Sequence, residues 1–130
     1  MKKYILIGVV VLSLIACILL INFQADTRII YEGGSQNWIV TYTIEGNKQN
    51  HDSNYTIKYI GDQSNNVKNV YYKIDGPTEG EDGYFILPDT KEYSSELKDT
   101  GGIPGSSDRD IRFNIEWNDQ KEHFMLERKN

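Results

Sequence analysis

The side chains that could perform acid–base or nucleophilic chemistry are few and scattered. His51 lies in an Asn-rich stretch and His123 near the C-terminus, and no local motif joins either one to a nucleophile. Two scattered histidines are ordinarily surface residues, and we expect both at the surface. Six serines lie in sequences typical of turns, where short polar side chains bond to nearby backbone. They are Ser35, Ser64, Ser94, Ser95, Ser106 and Ser107. Because no G-x-S-x-G, H-E-x-x-H or phosphate-binding loop occurs, we predict no catalytic residue and no enzyme activity.

Two acidic stretches carry carboxylates, the hard oxygen ligands that Ca²⁺ prefers. The carboxylates are Asp75, Glu79, Glu81 and Asp82 in the first stretch and Asp99, Asp108 and Asp110 in the second. Neither stretch has the D-x-D-x-D-G spacing of a calcium loop, and acidic turns on an acidic protein are usually solvated. We therefore predict no metal site and no cofactor.

The distribution of charge argues against one class of partner. Lys2 and Lys3 precede an apolar segment and every acidic residue follows it, so the remainder has 12 basic against 19 acidic residues, a formal charge of −7. It contains no basic cluster that could neutralise phosphates. We therefore predict that the protein does not bind nucleic acid.

Residues 5–23 read ILIGVVVLSLIACILLINF, an uncharged apolar run. At about 1.5 Å per residue, the run is long enough for a helix to cross a hydrocarbon core of about 30 Å. The bulky Phe23 also lacks the small side chain that a cleavage site for signal peptidase requires. We predict a cytoplasmic N-terminus over residues 1–4, a transmembrane signal anchor over 5–23 and an extracytoplasmic domain over 24–130, oriented by Lys2 and Lys3.

Cys17 offers a second mode of anchoring. Residues 14–17 read LIAC and resemble the lipobox of bacterial lipoproteins, in which the cysteine is lipidated and becomes the new N-terminus. The apolar run continues after Cys17, however, where a lipoprotein usually turns polar. Lipidation of Cys17 is therefore the alternative to a plain membrane helix. As the only cysteine, Cys17 leaves the exported domain without a disulfide.

After residue 24, apolar residues recur with a period of two, and Gly, Asn, Asp and Pro divide them into short segments. This pattern predicts seven strands, over residues 27–32, 38–45, 55–59, 70–74, 84–87, 111–117 and 123–127. We expect hairpins between the third and fourth and between the last two. Residues 88–110 form a long connection that the pattern leaves unexplained, with room for an added edge strand near residues 91–97.

Short strands without an amphipathic helix predict an all-β fold, an antiparallel β-sandwich of Ig-like plan preceded by the transmembrane helix. A small barrel would bury the same alternation equally well, so that alternative stays open. Trp38 and Trp117 each belong to an alternating apolar series, and we predict that both lie in the core. The neighbours Tyr71 and Tyr72 must face opposite sides, so at least one is expected to be exposed. Exposed tyrosines are typical of binding surfaces, although strand propensity alone also explains the tyrosine content.

Two short motifs carry a resemblance to known proteins. They are EGGSQNW over residues 32–38, followed by the Tyr42 strand, and IEWN over residues 115–118, followed by Glu122 and Leu126. With the MKK start and the single apolar segment, the chain resembles small uncharacterised exported proteins of Gram-positive bacteria, anchored by a helix or a lipid. The resemblance implies an extracytoplasmic β-domain in the cell envelope. It implies no activity and no site residues.

The expected function is a non-enzymatic, membrane-anchored module that displays a binding or structural surface, with an envelope protein or polymer as partner. One alternative is a lipoprotein-like accessory subunit of a transporter or signalling system, and another is an envelope hydrolase. A cleft with paired carboxylates would favour the hydrolase. An exposed aromatic patch would favour binding.

Overall fold

The computed structural model describes residues 2–22, 26–47, 50–75, 80–99 and 110–129. These residues form a helix, a short 3₁₀ turn at Ser64–Asn66 and eight strands. The elements are α1 Lys2–Asn22, β1 Thr27–Gly34, β2 Trp38–Gly46, β3 His51–Tyr59, β4 Val70–Asp75, β5 Gly80–Phe85, β6 Glu92–Asp99, β7 Ile111–Trp117 and β8 Gln120–Arg128.

The helix α1 covers most of the segment predicted to cross the membrane. From Ile7 to Ile18 its side chains are exposed, and Cys17 is among them. Within the described part of the chain, no helix meets the length and apolarity that crossing a membrane requires. The structure therefore contains a helix at this place but does not support the prediction that residues 5–23 form a transmembrane anchor.

All neighbouring strands pair antiparallel, in the order β5-β4-β7-β8-β1-β2-β3-β6. The predicted antiparallel β-fold is thus confirmed, but an Ig-like sandwich of seven strands is not what forms. The pairing of β8 with β1, through Tyr31 with Arg128 and Glu32 with Glu127, joins two four-stranded halves into one nearly closed, barrel-like sheet. We call β5-β4-β7-β8 the first half-sheet and β1-β2-β3-β6 the second.

One of the two predicted hairpins is confirmed and the other is wrong. β7 and β8 form a hairpin whose turn residues Asn118 and Asp119 have φ angles of 47° and 61°, as a type I′ turn requires. By contrast, β3 pairs with β2 and β6, and β4 pairs with β5 and β7. The reason is that residues 60–69 carry the chain from one half-sheet to the other instead of reversing it within one.

The boundaries of β5 and the course of residues 88–110 also differ from the prediction. β5 begins at Gly80 and ends at Phe85, because it pairs with β4 from Asp75 opposite Gly80 to Val70 opposite Phe85. Its first four residues, Gly80–Gly83, carry no apolar side chain on either face, so no apolar alternation marks its start. The added edge strand is confirmed as β6, which pairs with β3 over Glu92–Asp99. Residues 100–109 lie outside the described residues.

The inward side chains of both half-sheets meet in one core. Its large members with under 2% exposure are Trp38, Tyr55, Phe113, Ile44, Ile57, Ile111, Ile115, Leu126, Val40 and Val70. Trp38 of β2 packs edge to face on Trp117 of β7, with ring centroids 5.3 Å apart. Trp38 is 0% exposed and Trp117 4%, which confirms that both are core residues.

We expect Trp38→Ala to destabilise the protein by about 3–5 kcal/mol, the usual cost of truncating a buried aromatic. The cost is large here because Trp38 contacts both half-sheets, through Tyr59 and Trp117. Denaturant unfolding of the full-length chain measures it. The matched control Tyr84→Ala removes an aromatic that is 76% exposed and should change stability by less than about 0.5 kcal/mol. Equal midpoints for wild type and Trp38→Ala would contradict the core assignment.

Candidate functional site

The two histidines lie in different half-sheets. His51 begins β3 at an inward position and is buried beside a polar cavity of ≈480 Å³, which is also lined by Arg28 and Glu45. These two side chains form an ion pair at 2.9 Å. His123 of β8 lies opposite Asn114 of β7 and is exposed, as predicted for a surface histidine. The structure therefore does not bring the histidines together, and it corrects the expected surface position of His51.

The Ser35 side chain is hydrogen bonded to β8 and to its own turn. Its hydroxyl donates to the Glu122 carboxylate of β8, and the Asn37 side-chain amide donates to the same carboxylate at 2.6 Å. The Ser35 oxygen in turn accepts from the backbone N–H of Trp38 at 3.2 Å. These bonds hold the turn between β1 and β2 against β8. The serine is thus a turn residue, as its sequence context predicts.

The remaining serines with turn-like contexts divide into three groups. Ser64 lies in the 3₁₀ turn, as predicted. Ser94 and Ser95 lie in β6, where Ser94 shares a hydrogen bond of 3.1 Å with Thr56 of β3. Residues 106 and 107 lie outside the described residues. The structure thus assembles these serines into no common nucleophilic site within the parts of the chain that it describes.

The two motifs that carry the resemblance meet in space. Gly33 lies so close to β8 that a Cβ there would collide with the backbone oxygen of Met125 and approach Leu126 to 2.9 Å. Trp38 contacts Trp117 in the core. With the contacts of Ser35 and Asn37 to Glu122, these residues form one structural cluster. The contacts among these motif residues therefore hold the turn between β1 and β2 against the β7–β8 hairpin.

The first acidic stretch does not converge on one point. Glu81 and Asp82 are neighbours on β5, and strand alternation directs their side chains to opposite faces of the sheet. Asp75 forms an ion pair with Lys73 at 3.3 Å. Glu79 and Asp108, the latter from the second stretch, lie outside the described residues. Among the residues that are described, no group of three or more His, Cys, Asp or Glu side chains could hold a metal ion.

A buried tyrosine network spans the seam between β5 and β6, the two ends of the sheet. The hydroxyls of Tyr55 and Tyr72 share a hydrogen bond, and Tyr55 donates to Glu81 of β5 at 2.7 Å. At the same seam, Phe85 of β5 stacks in parallel on Tyr93 of β6, with centroids 4.3 Å apart. Side chains therefore close the sheet at this seam and bury its polar groups.

Burial raises the pKa of Tyr72 to about 12, although the hydrogen bond with Tyr55 lowers it somewhat. Burial also raises the pKa of Tyr55 well above its usual value of 10.0, and the nearby Glu81 carboxylate adds to the rise. Both hydroxyls therefore stay protonated at neutral pH, which lets Tyr55 donate to Glu81. The network is a stabilising feature of the core, since Tyr55 and Tyr72 are 0% and 3% exposed.

The outer face of the first half-sheet carries a different feature, which we call the tyrosine row: Tyr84, Tyr71, Glu116 and Lys121. The strand register sets these side chains side by side, because Tyr71 lies opposite Tyr84 on one flank and Glu116 on the other, and Glu116 lies opposite Lys121. The tyrosine rings are 4.9 Å apart and tilted by 45°. Tyr84 is 76% exposed, the highest value among the large apolar and aromatic side chains of the described strands.

Polar contacts hold the tyrosine row in place. The Tyr71 hydroxyl donates to Asp82 at 3.4 Å, and Lys121 pairs with Glu116 at 2.5 Å. Both contacts are exposed to solvent, so each contributes little to stability. They restrict the side chains that border the tyrosine rings more than they stabilise the fold.

A shallow cavity of ≈460 Å³ extends from the tyrosine row to the turn between β7 and β8. It is lined by Asn69, Tyr71, Tyr84, Glu116, Trp117, Asn118, Asp119, Gln120 and Lys121. Its volume is in the usual range for ligand sites, about 300–1,000 Å³. An exposed aromatic pair beside a polar cavity can bind a ligand by ring contact and hydrogen bonds.

Comparisons with protein-family models, curated proteins and solved structures find no match. The resemblance to small exported proteins of Gram-positive bacteria thus stays a prediction.

Sequence reasoning reached only part of the tyrosine row. It placed Tyr71 and Tyr72 on opposite faces, and the structure shows Tyr72 buried and Tyr71 partly exposed. It missed the position of Tyr84 beside Tyr71, and the neighbouring Glu116 and Lys121. Alternation within each strand marks the outward positions, but only the register between strands says which of them are neighbours.

The raised tyrosine pKa values predict a loss of stability at alkaline pH. Below about pH 10, the Tyr72 hydroxyl is protonated in both the folded and the unfolded chain. Between about pH 10 and 12, it stays protonated only in the folded chain. The free energy of unfolding therefore falls as the pH rises through this range. We expect Tyr72→Phe to show a shallower fall, as measured by denaturant midpoints across pH 8 to 12. Tyr84→Phe, which removes a hydroxyl outside the core, serves as the control. Parallel pH profiles for wild type and Tyr72→Phe would show that the assignment is wrong.

Proposed function

We propose that the protein is a non-enzymatic binding module of the cell envelope and that its tyrosine row is the binding surface. The observation that carries this proposal is the exposure of Tyr84, which rests beside Tyr71 on an outer sheet face. Other large aromatic side chains of the same sheet, among them Tyr55, Tyr72 and Phe113, are buried. An aromatic pair left in water offers area that a ligand can cover.

The surroundings of the tyrosine pair support binding over hydrolysis. The carboxylate nearest in the row, Glu116, is engaged by Lys121, and Asp82 accepts the hydrogen bond of Tyr71. A hydrolase that uses two carboxylates needs one of them protonated and both free to reach the substrate. Glu116 and Asp82 are instead exposed and paired, which favours a surface that binds without reacting.

We also propose that the N-terminal segment tethers the β-domain to the outer side of the cell membrane. The support is the uncharged run over residues 5–23, with Lys2 and Lys3 before it, as the positive-inside rule requires for a cytoplasmic N-terminus. The exposed Ile7, Leu12 and Ile18 are apolar side chains that a lipid environment would cover. Cys17 on the same segment is the residue that a lipid anchor would modify.

Binding to envelope material tests the proposed function. We expect full-length wild-type protein, kept in detergent, to sediment with envelope fragments that have been freed of membrane, and Tyr84→Ala to weaken this at least fivefold because the exposed ring is lost. Ile39→Ala is the matched control, since Ile39 is an exposed apolar residue on the outer face of β2 in the other half-sheet. Equal sedimentation of wild type and Tyr84→Ala would refute the tyrosine row as the binding surface.

Protease accessibility and Cys17→Ala test the tether. Protease added to wall-stripped cells should digest the β-domain and leave the N-terminus protected. If the helix alone anchors, Cys17→Ala keeps its size and its membrane fraction and takes up no labelled fatty acid. A longer, unlabelled Cys17→Ala precursor beside a shorter, lipid-labelled wild type would instead establish lipidation. A β-domain protected from protease would contradict the proposed orientation.

A further inference from the structure

We infer that the ligand of the tyrosine row is an uncharged glycan of at least two sugars, an inference that rests on the proposed function. The glycan would place one sugar ring on Tyr84 and Tyr71 and extend over the turn between β7 and β8. Four features of the surface lead to this ligand: two adjoining cavities, the amide side chains that line them, their charge and the aromatic pair.

The cavity beside the tyrosine row does not end at the turn. A second cavity of ≈260 Å³ shares Trp117, Asn118 and Gln120 with the first, so the two adjoin across the β7–β8 turn. From there the second cavity reaches toward Gln63 and Asn37. The lining of the two cavities thus extends from the aromatic pair across the β7–β8 turn to Asn37 and Gln63, an arrangement that suits a linear ligand better than a compact one.

Primary amides are the most frequent side chains in the lining of the two cavities, and we call the combined groove the amide groove. Its amide residues are Asn37, Gln63, Asn66, Asn69, Asn118 and Gln120. A primary amide carries two N–H donors and a carbonyl acceptor without net charge. Sugar hydroxyls also donate and accept, so amides can pair with them in several orientations. Gln63, Asn69 and Gln120 are exposed, which leaves their amides accessible to a ligand.

Some of these amides also hold the groove in shape. The Asn118 side chain donates to the backbone oxygen of Asn66 and accepts from the backbone N–H of Lys68 at 3.4 Å. Asn37 donates to Glu122 at 2.6 Å. The β7–β8 turn is thus hydrogen bonded to residues 66–68 before a ligand binds. This preorganisation lowers the entropy cost of binding.

The charge of the groove selects against anions. Its lining includes the carboxylates of Asp62, Glu116 and Asp119, and among the described lining residues Lys121 is the one basic side chain. Lys121 is already paired with Glu116. A polymer of phosphates or uronic acids would therefore meet repulsion, and the formal charge of −5 of the whole chain adds to it. An uncharged ligand avoids this cost.

The aromatic pair favours a sugar over a peptide. The face of an aromatic ring carries partial negative charge, and the C–H groups on one face of a pyranose ring are weakly positive, so the two faces attract. A hydrophobic peptide would instead need an apolar pocket for its anchor residues. The lining of both cavities is mostly polar, with Tyr71, Tyr84, Tyr59, Trp117 and Val67 as its aromatic and apolar members.

Isothermal titration of the full-length protein tests this inference. The probes are uncharged di- and tetrasaccharides of glucose, mannose and N-acetylglucosamine, a hyaluronan tetrasaccharide as the anionic probe, and tetralysine as the cationic peptide. We expect at least one neutral tetrasaccharide to bind, and to bind more tightly than its disaccharide. The hyaluronan probe and tetralysine should bind at least tenfold more weakly than the neutral tetrasaccharide.

The variants separate the tyrosine row from the amide groove. Tyr84→Ala should weaken binding of the neutral tetrasaccharide about tenfold, whereas Tyr84→Phe should retain most of the affinity. Gln120→Ala should weaken binding of the tetrasaccharide more than binding of the disaccharide. Ile39→Ala should bind as wild type does. Circular dichroism melting of each variant verifies that it is folded.

The outcomes distinguish this inference from the proposed function. If no neutral glycan binds, or if binding is unchanged in Tyr84→Ala, the glycan inference is overturned. Tyr84-dependent binding of tetralysine in place of the glycans would overturn it too and would identify a cationic partner at the same surface. In each case, weaker envelope sedimentation of Tyr84→Ala than of wild type still supports the proposed function. Equal sedimentation of the two proteins refutes that function directly.

Discussion

The contact between Trp38 and Trp117 is the interaction on which the rest of the structure depends. Trp38 belongs to β2 in the second half-sheet and Trp117 to β7 in the first, so their contact joins the inner faces of both. Trp38 also packs on Phe85 of β5, next to the seam. Without a disulfide in the chain, this aromatic packing is what keeps the two halves in register.

The two junctions between the half-sheets are formed by different interactions. Where β8 meets β1, backbone pairing joins the half-sheets, and the bonds of Glu122 to Ser35 and Asn37 reinforce that junction. Where β5 approaches β6, side chains close the gap, through the stack of Phe85 on Tyr93 and the bond of Tyr55 to Glu81. A single curved sheet therefore encloses its core without continuous hydrogen bonding around it. At its two edge strands, β5 and β6, inward side chains fill the gap.

Tyrosine serves opposite roles on the two faces of β4. Tyr72 points inward, where burial keeps its hydroxyl protonated and hydrogen bonded to Tyr55. Tyr71 is its neighbour in sequence and points outward, where Tyr84 and Glu116 flank it across the sheet. The same residue type thus stabilises the core on one face and offers a contact surface on the other. The difference arises from strand alternation alone, since adjacent residues face opposite sides.

The sequence by itself determined that the fold is antiparallel β, most of its strands and the inward side chains of those with a clear apolar alternation, but not the bounds of β3 and β5 or the burial of His51. Trp38, Trp117 and Tyr72 are buried as their alternation predicts, because the side that a residue faces depends only on its position within its own strand. The tertiary structure decided the strand order, the closure of the sheet and the neighbours of Tyr84. Those features depend on hydrogen bonds between residues far apart in the chain, and several strand orders would bury the same apolar faces. Only the packing of all eight strands around one core selects among them.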